Sequence, residues 1–170
     1  MAHRHPLPRL WLFTDERQGE RLWRALERLP SGGGVVFRHY SLPAAERRAL
    51  FDQVREIAQG RRLTLLLAGA PLPGADGTHG RPGRGINSRS AHNLRELRAA
   101  ARAGADLVFL SPVFATRSHP GAPPLGPRRF ALIAHQARVP VIALGGMNEE
   151  RARNLGGAYG WAGIDAWSGD

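Results

Sequence analysis

Hydroxyls, guanidiniums and glycines follow several apolar runs of this chain, and together they are suited to holding an anion. The segment Ser111–Gly121, SPVFATRSHPG, trails the apolar Ala105–Leu110 and crowds Thr116, Arg117, Ser118 and His119 between two prolines. Such a loop supplies O–H and N–H donors, which a mere change of direction does not need. Gly145 and Gly146 close another apolar run, Val139–Leu144. A backbone without Cβ atoms lets a ligand approach closely, although the same pair also reads as a tight turn. Arg38 ends the run Val35–Phe37, where a charge is costly unless it has work to do. Ser90 reads equally as a phosphate donor and as a cap for a helix starting near His92. The spacing of His79 and His92 gathers no metal cluster, and both read first as structural histidines. His119 reads either as a surface residue or as a phosphate donor. With no cysteine, disulfides and thiolate chemistry are excluded. All 24 basic residues are Arg, which excludes a lysine Schiff base.

Regular elements must place these groups. Short apolar runs at Leu10–Phe13, Val35–Phe37, Leu63–Leu67 and Leu107–Leu110 predict strands, as do Asp76–His79, Val139–Leu144, a segment opening at Ile86–Ser88 and a last one around Gly160–Asp165. Between them lie helical patterns. One carries Leu22, Leu26 and Leu29; a second enters through Pro43, carries Leu50, Val54 and Ile57, and stops at Gly60. A third starts at the capping-box pattern Asn93-x-x-Glu96 and carries Leu94, Leu97 and Ala101. A fourth enters at Pro127 with Phe130, Ile133 and Ala137 inward, and Asn148 caps a short fifth running to Leu155. Apolar strands alternating with helices predict a parallel sheet covered on both faces. Eight strand positions predict a (β/α)8 TIM barrel, trimmed because ordinary barrels need about 250 residues. The third and fourth helices are the ones missing: AGAPLPGADGTHGRPGRG is too rich in Gly and Pro, and the printed sequence ends soon after strand eight. A doubly wound sheet is disfavoured by the lack of G-x-G-x-x-G after the first strand.

A chain of 170 residues suits one domain spanning 1–170, with 1–8 a loose N-terminus. The net charge of +10 is carried by Arg on helical faces, among them Arg47, Arg48 and Arg55, which read as solvated. Nucleic acid would call for an aromatic-interleaved basic patch, and none is visible; a phosphorylated small molecule suits the charge as well. No apolar run reaches the roughly 18 residues of a membrane span, and MAHRHPLPRL has no signal-peptide core. A soluble, cytoplasmic protein is expected, compatible with a homo-oligomer.

The order of motifs resembles the thiamine-phosphate synthase and TenI-like family. The residues that carry it are DGTHG (76–80), SRSAHN (88–93), AGADLVFLSPVFATRS (103–118), PVIALGGM (140–147) and GWAGIDAW near the end. The resemblance implies a barrel that joins hydroxymethylpyrimidine diphosphate to thiazole phosphate, with Mg²⁺ on the departing pyrophosphate. It implies catalytic roles for Arg38, Ser90 and Ser118. Substrate binding would fall to Thr116, His119, Gly145 and Gly146, with the backbone N–H groups of Ile164 and Asp165 completing a phosphate cradle.

Several positions depart from that pattern. The family's glutamine and lysine around the strand-two arginine are Val36 and Tyr40 here, and its strand-three Asn-Asp falls on Ala68-Gly69. No acid follows DGTHG in GRPGRG, His119 replaces a lysine, and Asp165 replaces a serine. Mg²⁺ ordinarily takes one or two carboxylates, so its ligands here are unknown, and Arg81 or Arg84 are candidates to supply the missing charge. Two other readings stay open. One is a TenI-like relative that binds or isomerises thiazole phosphate, although the tautomerase's histidine would fall on Pro112. The other is a basic, non-catalytic binding domain.

Overall fold

The computed structural model describes residues 6–117, 120–121 and 123–169. Its eight strands pair in sequence order, all parallel, and close through β1 and β8. They are β1 (Leu10–Phe13), β2 (Gly34–Phe37), β3 (Thr64–Ala68), β4 (Gly77–His79), β5 (Ile86–Ala91), β6 (Leu107–Leu110), β7 (Val141–Ala143) and β8 (Gly160–Gly163). Helices α1 (Arg21–Arg28) and α2 (Ala44–Gly60) follow β1 and β2, while α3 (Leu94–Arg102), α4 (Gly126–Ala134) and α5 (Glu149–Arg153) follow β5, β6 and β7. Among the described residues no helix joins β3 to β4 or β4 to β5. This is the trimmed barrel that the apolar runs and the Gly/Pro-rich segment predict.

Alternate strand residues divide between two layers. Trp11, Phe13, Val36, Leu66, Leu107, Phe109 and Ile142 fill the barrel interior. Phe109 meets the edges of Trp11 and Phe13 with ring centroids 5.4 and 4.7 Å away. The interior is therefore a packed core, leaving an opening only at an end. Gly34 is required by that packing, since a Cβ there would lie 2.3 Å from the Trp11 ring. The other face of the strands packs outward, with Leu12, Val35, Phe37, Leu65 and Leu67 against Leu22, Leu26, Phe51 and Val54 of α1 and α2.

Several local expectations need adjustment. Asn93 caps α3 by accepting from the Glu96 N–H at 2.9 Å, but the Glu96 carboxylate returns to His92 N–H at 2.8 Å, one residue earlier than a capping box requires. The seventh strand is shorter than Val139–Leu144. Leu7 and Pro8, read as part of a loose terminus, are tied down: the Leu7 carbonyl accepts from the Tyr159 hydroxyl at 2.8 Å and the Pro8 carbonyl from Trp11 Nε1 at 2.8 Å. Arg47 is the largest correction. It is 5% exposed and belongs to the protein interior, not to a solvated helix face.

Candidate functional site

The C-terminal ends of parallel strands share one rim, so residues just past each strand converge there. A cavity of about 290 Å³ opens at this rim, and Phe13, Arg38, Tyr40, His79 and Ser90 line one side of it. Thr116, Gly145, Gly146, Ile164 and Asp165 line the other. Seven of the nine site residues expected from the sequence are thus brought together. Ser118 and His119 lie outside the described residues.

Arg38 is fixed by β1. Its Nε donates to the Thr14 carbonyl at 2.8 Å, its Nη2 meets Asp15 Oδ2 at 3.0 Å, and its backbone N–H donates to Thr14 Oγ1 at 2.9 Å. The guanidinium also stands 5.4 Å from the centre of the Phe13 ring. Burial lowers the Arg38 pKa, with Asp15 opposing the shift, and a guanidinium stays charged regardless. Burial pushes the Asp15 carboxyl up, but hydrogen bonds from Arg17 and the nearby Arg38 charge outweigh it, so the group sits below its ordinary value. Sequence patterns alone do not single out Thr14 and Asp15. The one signal is Asp15-x-x-Gln18, a capping box that starts a short 3-10 turn at Glu16.

His79 stands at the cavity wall between β4 and β5. Its Nδ1 is 2.9 Å from Ser88 Oγ, and its Nε2 is 3.3 Å from Ser90 Oγ. Ser88 Oγ in turn donates to the Thr78 carbonyl at 3.4 Å. These contacts assign the proton to Nδ1 and leave Nε2 as an acceptor facing the Ser90 hydroxyl. Phe13 and Phe109 pack edge-to-face on the ring at 5.4 and 5.5 Å. Burial, reinforced by the Arg38 charge, lowers its pKa to about 4, so the imidazole is neutral near pH 7. His92 also lines the cavity, and just ahead of α3 its Nδ1 pairs with Glu96 at 2.9 Å.

On the opposite side, Gly145 and Gly146 have φ of +96° and +60°. A Cβ would lie 2.7 Å from Pro112 Cα at the first and 2.7 Å from the Ala115 carbonyl oxygen at the second. The glycine pair is therefore needed both for its turn and for the close passage of the Pro112–Ala115 loop. Among the described residues, the backbone N–H groups of Gly145, Gly146, Ile164 and Asp165 make no hydrogen bond. Four backbone donors without a partner therefore border the cavity. Asp165 brings a carboxylate to the same rim, and its charge is felt by Arg17.

The donor set at the ends of β3 and β4 does not fit Mg²⁺. Ala68 and Gly69 carry no side-chain oxygen, and their carbonyls accept from Arg47 Nη2 at 2.6 Å and Arg81 Nε at 2.9 Å. Asp76 accepts from the Leu65 N–H at 2.8 Å, near the N-terminal end of β3 and away from the mouth. Among the described residues no three of His, Cys, Asp and Glu gather as a metal site.

Fold and site define a closed parallel eight-stranded barrel with a cavity of mixed polar and apolar lining at its C-terminal mouth. The profile of the thiamine monophosphate synthase family matches residues 83–167. The chain is 33% identical to the second thiamine-phosphate synthase-type sequence of Aquifex aeolicus, over 93% of this chain and 96% of that one. It is 31% identical to the thiamine-phosphate synthase of Chloroflexus aurantiacus, over 93% and 84% of the two chains. The thiamine phosphate pyrophosphorylase structure from Pyrococcus furiosus superposes with a TM-score of 0.81, covering 96% of this chain and 88% of that one. At 24% identity that likeness shows a shared fold. The chain belongs to the thiamine monophosphate synthase family.

Proposed function

We propose that the protein is a thiamine-phosphate synthase, a transferase that condenses hydroxymethylpyrimidine diphosphate with thiazole phosphate. In the step, the bond between the pyrimidine methylene carbon and the diphosphate oxygen breaks, and its electron pair leaves with pyrophosphate. The thiazole nitrogen lone pair then forms the new C–N bond. No proton needs to move. The site's tasks are to hold two anions, to balance the charge developing on pyrophosphate, and to keep water from the cation.

The observation that carries this reading is the convergence of Arg38, Ser90, Thr116, Gly145, Gly146, Ile164 and Asp165 on one cavity. Gly145, Gly146, Ile164 and Asp165 would hold the thiazole phosphate through backbone N–H groups, at the rim after β7 and β8 where barrels commonly bind phosphate. Ser90, oriented by neutral His79, and Arg38, oriented by Asp15, would face the pyrimidine diphosphate. Thr116 and Ser118 would add hydroxyl donors, and His119 a further donor. Phe13, Tyr40 and Met147 supply apolar wall for the flat rings. The carboxyl of Asp165 must turn toward Arg17 for a phosphate to sit beside it. This work would be done by one domain over 1–170, in the cytoplasm.

The test is direct. Purified protein is given the pyrimidine diphosphate and thiazole phosphate, with and without Mg²⁺, and thiamine phosphate is measured. Product under either condition supports the transferase. No product, together with thermal stabilisation by thiazole phosphate alone, would overturn it in favour of a TenI-like relative that binds or isomerises that phosphate.

A further inference from the structure

We propose that the rim after β3 and β4 is a metal-independent anion subsite, where Arg81, backed by the buried charge of Arg47, takes a diphosphate without a divalent cation. The identity of that diphosphate rests on the transferase reading, which this subsite deepens.

Arg47 is 5% exposed, and no carboxylate is among its partners. Nη2 donates to the Ala68 carbonyl at 2.6 Å, Nη1 to Ala70 at 3.0 Å, and Nε to His39 at 3.1 Å. Carbonyl dipoles satisfy its hydrogens but leave its charge uncompensated. A charge buried in that way projects a positive potential onto the adjoining rim. Arg81 is the next group outward. Its Nε donates to the Gly69 carbonyl at 2.9 Å, which fixes the plane of the guanidinium. Among the described residues its two terminal nitrogens have no hydrogen-bond partner, so the bidentate edge that suits phosphate remains open. Burial lowers the Arg47 pKa and the Arg81 charge adds to that, which places the two cations within each other's field.

The nearby acids are committed to other partners: Glu96, which shares a groove with Gly80, is held by His92 at 2.8 Å and by Asn93 at 3.0 Å. Asp15 is committed to Arg38 and Arg17. Asp76 binds backbone near the other end of the barrel. Asp165 follows β8, which stands opposite β4 in the closed ring. Arg47 and Arg81 together carry two positive charges, matching a divalent cation. Position 69 could not easily regain a carboxylate, because a Cβ there would sit 3.1 Å from the Tyr40 ring and 3.4 Å from Arg47 Nη2, at φ +74°.

Calorimetry with inorganic pyrophosphate, in EDTA and in excess Mg²⁺, tests the proposal on the full chain. The native protein should bind pyrophosphate in EDTA, with Mg²⁺ giving no gain. Arg81→Gln should weaken that binding at least tenfold while its melting temperature stays near native. Binding only with Mg²⁺, no binding in either condition, or native affinity in Arg81→Gln would each overturn the proposal. If pyrophosphate needs Mg²⁺ while thiamine phosphate still forms, the metal-independent subsite falls and the transferase stands. Metal-free, Arg81-dependent binding without thiamine phosphate would mean the opposite, with the subsite kept and the transferase lost.

Discussion

Arg38 and Asp15 meet at 3.0 Å across the ends of β2 and β1, and this pair fixes the orientation of a guanidinium that lines the mouth cavity. Their neighbourhood explains why an arginine can sit there. Thr14 supplies its carbonyl to Nε and its hydroxyl to the Arg38 N–H, and that hydroxyl also lies 3.0 Å from Nδ1 of the buried His39. A charge placed so deep has structural partners on one side and a cavity on the other. It is therefore expected to affect both folding and anion binding.

Replacing Arg38 by methionine keeps the bulk and removes the charge. Asp15 would retain Arg17, at 2.7 Å and more exposed, so the loss is partial. The expected cost is about 1–3 kcal/mol in chemical denaturation, in the range of a half-buried charged hydrogen-bond partner. Binding of thiazole phosphate, on the far side of the mouth, should persist, while turnover should fall by more than tenfold. Equal proportional loss in stability and turnover would make Arg38 purely structural.

His79 gives a pH signature. Its folded pKa of about 4 lies below the ordinary 6.5, so between these values the unfolded chain binds more protons. Stability attributable to the neutral ring is therefore complete above about pH 6.5 and is lost as pH falls toward 4. The full shift corresponds to on the order of 3 kcal/mol. His79→Gln should flatten the stability profile across that window, leaving the share due to His39, which burial also holds neutral. An NMR titration that finds the His79 ring protonating near 6.5 would refute its burial as a neutral ring beside Arg38.

Much of this architecture is legible in the sequence, and Leu107–Leu110 shows why. A fully buried parallel strand is an uninterrupted apolar run, so its ends are marked by the first polar residues, and β6 has those same bounds. Helix faces follow by the same logic from Leu22 and Leu26, or Phe130 and Ile133. The mouth is partly legible because barrel topology sends every strand's last residues to one rim. What periodicity cannot convey is which neighbour a long side chain reaches. Arg47, Arg48 and Arg55 look alike in the α2 pattern, yet Arg48 and Arg55 pair with Asp52 on the surface. Arg47 turns inward because unpaired carbonyls at 39, 68 and 70 converge there, and that convergence exists only after β2 and β3 pair. Asp15 is hidden for a similar reason: its partner Arg38 lies 23 residues away.

The inward course of Arg47 implies a second stability test. Arg47→Met would leave the carbonyls of Ala68 and Ala70 without their donor in a half-buried setting. A loss of roughly 2–4 kcal/mol is expected from chemical denaturation, whereas Arg48→Met should stay within about 0.5 kcal/mol of native. Similar small effects for both would return Arg47 to the solvated face that the sequence pattern alone predicts.

Gly145 and Gly146 allow the turn and the cradle to be separated. At φ of +96° and +60° any Cβ is strained, and each would also press on the Pro112–Ala115 loop at 2.7 Å. Gly145→Ala and Gly146→Ala are each expected to cost about 1–3 kcal/mol. That loss alone would follow from the turn and says nothing of a ligand. The informative quantity is the affinity for thiazole phosphate, measured by calorimetry at a temperature where each variant is fully folded. If the free N–H groups at 145, 146, 164 and 165 form the receptor, Gly146→Ala should weaken binding by tenfold or more, because a displaced loop opens the concave surface. Inorganic pyrophosphate, held across the barrel near Arg81, should bind the same variant as it binds the native protein. Unchanged affinity for thiazole phosphate in a destabilised Gly146→Ala would confine the glycine pair to the turn and move the phosphate elsewhere on the rim.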